Sequence, residues 1–231
     1  MDQKLSDLIV LKNNRYVIAQ KPPGISSQVN LSEEKTLQNF LEIYLKHKIH
    51  VINRIDRPVS GLVLFANNKE AAATLTAMVR NRKINKYYLA LVEKKPEKNS
   101  GTLSHFLGRN AKNRKAIVNV VASPRFKEAT LQYKLLHSFE NYHLLKIQTI
   151  TGRFHQIRAQ LGKIGCPIKG DVKYGARRSN KDRSIHLLAY HMAFKDPFNG
   201  AEISLFAKIP ETDGLWKDVS VIMKSITDKK L

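Results

Sequence analysis

Cysteine is almost missing from this chain: Cys166 is the only one in 231 residues. A lone thiol excludes an intrachain disulfide framework and any Cys-rich zinc module. Long apolar runs are missing too. Leu62-Val63-Leu64-Phe65-Ala66 is typical of the longest, far short of the roughly 20 residues a membrane helix needs. Met1 to Asn14 has no charged start, apolar middle and small-residue cleavage site of a signal peptide. The phosphate-cradling G-x-x-x-x-G-K-[ST] segment, the dinucleotide-binding glycine run and the G-x-S-x-G nucleophile turn are all absent. The eight histidines are scattered, and His186 and His191 lack Cys or carboxylate neighbours at ligand spacing, so no metal site is expected. These absences leave a cytoplasmic protein with no membrane attachment as the expectation. At 42% hydrophobic residues the chain can bury a core, and its length suits one domain over residues 1–231.

Acidic residues are also scarce, with 19 Asp+Glu against 40 Lys+Arg and a formal charge of +21. Such a surplus repels itself without an anionic partner. A nucleic acid is the natural one, because neutralised phosphates release counterions. The basic residues thicken at Arg109, Lys112, Arg114 and Lys115. They thicken again at Lys163, Lys169, Lys173, Arg177, Arg178, Lys181 and Arg183, diluted by Asp171 and Asp182. A merely solvated surface is the bland alternative. Acidic lipid is a weaker one, since no basic amphipathic helix accompanies the clusters. Charge alone does not separate RNA from DNA.

Leu8–Leu11, Tyr16–Ala19, Gly61–Ala66, Tyr87–Val92, Ala116–Ala122, Thr130–Leu136, Tyr142–Ile150, Ile185–Phe194 and Ile203–Ile209 read as strands. Helical spacing runs through Thr36–Lys48, Lys69–Arg80, Phe154–Ile164 and about Gly214–Ile226. Lys94–Ser100 and Tyr174–Asp182 read as polar, mobile connections. Strands outnumber helices without alternating with them one for one. That pattern predicts an α+β fold with a mixed, mostly antiparallel sheet.

Two segments carry chemistry. In Asn53-Arg54-Ile55-Asp56-Arg57-Pro58-Val59-Ser60-Gly61, a carboxylate flanked by two arginines sits on a loop feeding an apolar strand. Flanking cations favour the ionised carboxylate a nucleophile needs; the same residues would also serve as a structural pair closing a turn. In Thr151-Gly152-Arg153-Phe154-His155-Gln156-Ile157-Arg158, a strand ends and a helix begins with two arginines in its first residues. That end is a ready anion site, for a phosphate or for Asp56. His155 reads as an orienting or core residue before a base.

Together these segments resemble the RluA-type pseudouridine synthases. Asn53–Ala66 is similar to their H-R-L-D-x-x-T-S-G-L-L-L-F-A motif, and Gly152–Leu161 to G-R-x-H-Q-I-R-x-H-L. Gly165–Gly175 resembles G-x-P-I-x-G-D-x-x-Y-G, Lys86–Val92 resembles K-x-Y-L-A-L-V, and Lys21-Pro22-Pro23-Gly24 the early K-P-x-G turn. Pro197-Phe198-Asn199-Gly200 stands where the family has H-P-x-T-G. The matches run in family order from Lys21 to about Gly200. Asn53, Val59, Gln160 and Asp196 depart from the usual His, Thr, His and His.

The resemblance implies a pseudouridine-synthase-like sheet with flanking helices and a central basic cleft. It implies isomerisation of specific uridines in ribosomal or transfer RNA, after base flipping, with no cofactor and no obligate protein partner. Asp56 is the implied nucleophile, Arg158 its ion-pair partner, and Tyr88 the residue stacked on the uracil; without the resemblance Tyr88 would read as cross-strand packing. Arg54, Arg57, Arg153, His155, Gln156, Lys169, Lys173, Arg177 and Arg178 are the expected RNA contacts. The early turn at Lys21 leaves an S4 RNA-binding module unexpected, and a monomer suffices. Three other readings stand beside this one. They are a non-catalytic RNA-binding relative, a carboxylate hydrolase such as a nucleosidase, which needs a second acid near Asp56, and a DNA-binding regulator, whose helical signatures are missing.

Overall fold

The computed structural model describes residues 5–29 and 35–228. A short 3-10 turn, Leu5–Leu8, leads into the antiparallel pair β1 (Ile9–Lys12) and β2 (Tyr16–Lys21). Helix α1 (Leu37–Leu45) follows, capped by Thr36, whose side chain accepts from Asn39 N. Strand β3 (His50–Val51), a loop carrying Asp56, and strand β4 (Ser60–Ala66) come next. Helix α2 (Lys69–Arg80) starts on the Asn68 cap, whose side chain accepts from Ala71 N. Strands β5 (Asn85–Val92), β6 (Ser100–Asn110), β7 (Lys115–Asn119), β8 (Lys127–Ser138) and β9 (His143–Thr149) run as a block, before helix α3 (Gln156–Lys163). Strands β10 (Leu187–Lys195) and β11 (Glu202–Phe206) and helix α4 (Gly214–Asp228) complete the described chain.

The strands form one sheet in the order β1-β2-β4-β10-β5-β9-β8-β6-β7, with β3 added to β4 and β11 to β10. Among the described residues β4 and β10 run parallel and the other pairs antiparallel. This is the α+β, mostly antiparallel sheet the sequence predicts. All seven residues of β4 are buried, and its side chains alternate between two cores. Val63 and Phe65 join Leu37, Leu41, Ile157 and Leu161 from α1 and α3. Leu62 and Leu64 join Leu75, Met78, Trp216 and Val219 from α2 and α4. Helices therefore cover both faces of the central strands.

Gly61 marks the tightest packing. Its φ is +119°, and a Cβ there would lie 2.3 Å from the Ala189 carbonyl oxygen of β10. Only glycine allows the two backbones to approach so closely.

Two strands escape the sequence pattern: β3, with two residues, and β6. The run expected over Ala116–Ala122 ends at Asn119, and that over Ile203–Ile209 ends at Phe206. Neither expected loop is loose throughout. Asn99 O accepts from Leu135 N, and Asn180 Nδ2 bonds Ser184 O at 3.0 Å.

Candidate active site

The Asp56 loop is tied down before any function is asked of it. Lys21, fully buried, donates from Nζ to the carbonyls of Pro22, Ile25 and Arg57 at 2.8, 2.9 and 3.2 Å. The Ser27 hydroxyl donates to Ile55 O and accepts from Ile55 N, and Gly24 N donates to Arg57 O at 2.8 Å. The K-P-P-G turn and the Asp56 loop thus form one rigid piece, with Val59 packed in the core beneath.

The guanidinium hydrogen-bonded to Asp56 comes from neither flanking arginine but from the partner the resemblance implies. Arg57 Nε donates to Gly24 O at 2.8 Å, and Arg54 is exposed. The partner is Arg158 of α3, whose Nη1 donates to Asp56 Oδ2 at 2.9 Å. Residues adjacent on a turn point apart, whereas a helix packed on the sheet brings a distant side chain in. Arg158 is itself held by Asp171: Nε donates to Oδ2 at 2.7 Å and Nη2 to Oδ1 at 2.9 Å. Burial disfavours the charge on Arg158, but the carboxylates of Asp171 and Asp56 outweigh it and raise its pKa. Arg158 and Asp171 are buried, while the Asp56 side chain stays 24% exposed. A buried fork thus holds a carboxylate that faces solvent space.

Tyr174 completes the support. Its ring lies 5.2 Å under the Arg158 guanidinium, and its hydroxyl accepts from Ala116 N at 2.7 Å. That hydroxyl also lies 2.8 Å from His155 Nδ1. Burial, helped by Arg158 and Lys173 and opposed by Asp56, lowers the His155 pKa to about 4. The ring is therefore neutral near pH 7. Its 3.7 Å approach to Asp56 Oδ2 is a polar contact, not an ion pair. The Tyr174 hydroxyl, already accepting from Ala116, has its proton left to donate to Nδ1, an arrangement that puts the His155 proton on Nε2, toward Asp56.

Tyr88 stands on β5 and lines the same cleft. Burial first, and the Asp56 charge second, raise its pKa, so its hydroxyl keeps its proton near pH 7 and is able to donate it.

The expected RNA contacts divide. Arg54, Arg57, Arg153, His155 and Lys173 line the cleft around Asp56. Gln156 lines the cleft as well, but its amide is engaged within the protein. It is buried, accepts from Thr151 Oγ1 at 2.8 Å and Arg153 N at 2.9 Å, and donates to Thr130 O at 3.1 Å. It latches the start of α3 to β8, and a side chain so engaged positions the helix. Lys169, Arg177 and Arg178 are not among the cleft-lining residues. Lys169 bonds Asn180 Oδ1 at 3.0 Å and lies 3.6 Å from Asp213, and Arg177 faces Glu93 at 3.6 Å.

In the sequence Asp171 stands out only as a carboxylate diluting a basic run, and its place behind Arg158 emerges from the fold. Arg80, Arg82 and Lys86 also line the cleft with Phe154, beside Arg109, Arg114 and Arg183 of the basic runs. The guanidinium of Arg109 lies 4.8 Å from the Phe154 ring, and Phe154 stacks on His155 at 3.8 Å. The basic runs in the sequence signalled Arg109, Arg114 and Arg183; nothing signalled Arg80 and Arg82 beyond their place at the end of α2.

The departures from the family pattern have structural tasks. Asn53 Oδ1 accepts from Leu64 N at 2.7 Å. Gln160 Nε2, fully buried, donates to Leu103 O and Ala129 O at 3.1 and 3.0 Å. Asp196 accepts from the Tyr16 hydroxyl at 2.6 Å.

A rigid sheet therefore presents a carboxylate, an anchored arginine and a protonated tyrosine in a basic cleft between helices. Comparison with known proteins gives that arrangement its class. The family model for RNA pseudouridylate synthase matches residues 15–163, well over half of the chain. The chain belongs to the RNA pseudouridylate synthase family, whose members are isomerases. Among its relatives is ribosomal large subunit pseudouridine synthase C of Rickettsia prowazekii (strain Madrid E), 30% identical over 215 residues, spanning 89% of this chain and 69% of that one. Ribosomal large subunit pseudouridine synthase D of Borreliella burgdorferi is 31% identical over 178 residues, or 72% of this chain and 54% of that one. The fold is that of the human RNA pseudouridylate synthase domain containing 1, at a TM-score of 0.74 and 20% identity, covering 96% of this chain and 97% of that one.

Proposed function

We propose that this chain converts uridine to pseudouridine in ribosomal RNA, working in the cytoplasm as a single catalytic domain and a monomer. One observation carries the reading of the site. A partly exposed carboxylate, Asp56, is held at 2.9 Å by an arginine that Asp171 fixes from behind. The relatives named for the large ribosomal subunit support ribosomal RNA as the substrate class.

In this mechanism the uridine turns out of its stack into the cleft, at a cost of a few kcal/mol. Asp56 attacks the base or the ribose C1′, the glycosidic N1–C1′ bond breaks, and the uracil turns. The C5–C1′ bond forms, the bond to Asp56 breaks and returns the free carboxylate, C5 loses its proton, and N1 gains one. No atom is lost overall, so the reaction requires no redox or group-transfer partner. Arg158 orients Asp56 and keeps its charge opposed. Tyr88 stacks on the uracil and offers a hydroxyl proton. The neutral Nε2–H of His155 is a further donor beside the carboxylate.

The test is a map of pseudouridine in ribosomal and transfer RNA from cells with the wild-type gene, without it, and with Asp56→Asn. A ribosomal site is expected to vanish in both altered strains. In vitro, Asp56→Asn should lose at least about a thousandfold in turnover while its RNA affinity stays within about threefold. Retained turnover would refute the nucleophile, and a vanished site in transfer RNA alone would refute the ribosomal substrate.

A further inference from the structure

The reaction above leaves one cleft cation without a task. Lys86 stands two residues before Tyr88 on β5, so strand alternation sends both side chains to one face, and both line the cleft. Lys86 is partly withdrawn from water, and burial alone, with no neighbouring charge contributing, pushes its pKa down. Among the described residues no hydrogen bond or ion pair reaches its ammonium group. Its Nζ lies against the turn between β9 and α3, where a Cβ on Gly152 would be 3.7 Å away.

Other cations in the cleft are differently placed. Arg57, Arg153 and Lys173 donate to the carbonyls of Gly24, Glu128 and Arg114. Arg54, Arg80 and Arg82 are exposed, where water solvates their charge.

An ammonium group drawn out of water with no counter-charge is unfavourable, and an anion from a ligand relieves it. In an RNA substrate the anions are the phosphodiesters; uracil and ribose are neutral. Turning a nucleotide about its backbone carries its flanking phosphates to the mouth of the pocket that takes the base.

We propose that Lys86 binds a phosphodiester flanking the uridine held at Asp56. This deepens the proposed function and rests on it: the same cleft that holds the base would grip the strand beside it, on the Tyr88 side.

The test uses an RNA oligonucleotide of ribosomal sequence that the wild-type protein converts. Copies of it carry one neutral methylphosphonate linkage at successive positions around the converted uridine. Lys86→Met is expected to weaken binding about tenfold near 100 mM salt, and to flatten the slope of log affinity against log salt by about 0.7, the share of one single-strand phosphate. One methylphosphonate beside the uridine should do the same to the wild-type protein and nothing further to Lys86→Met. Lys86→Arg should recover the slope. An unchanged slope in Lys86→Met overturns the assignment, and so do losses that simply add at every linkage. A drop in kcat at unchanged affinity overturns it too, by placing the ammonium on the reacting base. If the wild-type protein binds RNA but converts no uridine, the proposed reaction fails instead. The slopes of wild type and Lys86→Met on oligouridylate then decide the phosphate contact alone.

Discussion

Arg158 does what a lysine in its place could not, because only a guanidinium presents separate edges to two carboxylates. One edge locks on Asp171 with two bonds, and the remaining nitrogen reaches Asp56. The Asp56 carboxylate inherits its position from a pair that water scarcely touches. The same seclusion fixes the protonation of two histidines. His186, which stacks on Trp216 at 5.2 Å and bonds Asp213 at 2.8 Å, has its pKa lowered to about 4, by burial first and Lys169 second, against the pull of Asp213. His155 is lowered likewise. In the unfolded chain both rings take up a proton near pH 6.5. Between the two values the unfolded state binds more protons, so acid favours unfolding. Stability should therefore be full above about pH 6.5 and fall toward pH 4, by at most roughly 1.4 kcal/mol per pH unit for each histidine. Urea denaturation at pH 7, 5.5 and 4.5 would measure it. His186→Phe, which keeps a ring against Trp216, should flatten the dependence; an unaltered one would show that His186 is not held neutral.

At the scale of elements, the parts legible in the sequence are those that local chemistry decides. Helix α2 spans Lys69–Arg80, as its apolar spacing predicts, because the Asn68 cap and the ladder of Ala71, Leu75 and Met78 agree. Strand β4 declares itself by an apolar run buried on both faces. Strand β6 does not: Ser100-Gly101-Thr102 and Ser104 weaken its β signal, and pairing with β8 along Ser100–Leu107 overrides that weakness. The start of α3 is also tertiary. His155 takes φ 52°, and the helix begins at Gln156, where the latch to Thr130 and Thr151 sets it. Asp56 and Arg158 were legible from motif order, but the Asp171 brace was not, since it reaches Arg158 from a loop after the helix. The Gly61 contact gives this scale its prediction. Gly61→Ala places a Cβ 2.3 Å from a backbone oxygen at positive φ, which only separation of β4 from β10 can relieve. It should cost about 3 kcal/mol or more. Gly24→Ala, also at positive φ but with nothing within 4 Å, should cost about 1 kcal/mol. Equal losses of urea midpoint in the two variants would show that β4 and β10 are not wedged by that glycine.

Over the whole molecule, what matters about a charge of +21 is where it faces. Arg54, Arg80, Arg82, Arg109, Arg114, Arg153 and Arg183 line the cleft that holds Asp56, although they come from five separate stretches of sequence. The longer basic run, by contrast, sends Arg177 toward Glu93 and leaves both Arg177 and Arg178 out of the cleft lining. Net charge therefore overstates what RNA feels, and two double variants separate amount from placement. Arg80→Gln with Arg82→Gln and Arg177→Gln with Arg178→Gln each remove the same charge, two units, from the same total. If about six phosphates are neutralised in the cleft, wild-type affinity should fall about a thousandfold between 50 and 200 mM salt. The cleft pair should flatten the log–log slope by about 1.4 to 1.8, two phosphates' worth, while the Arg177 and Arg178 pair should leave it nearly unchanged. Equal flattening by both pairs would mean that RNA answers to a diffuse surface charge, and the cleft would lose its claim to be the binding groove.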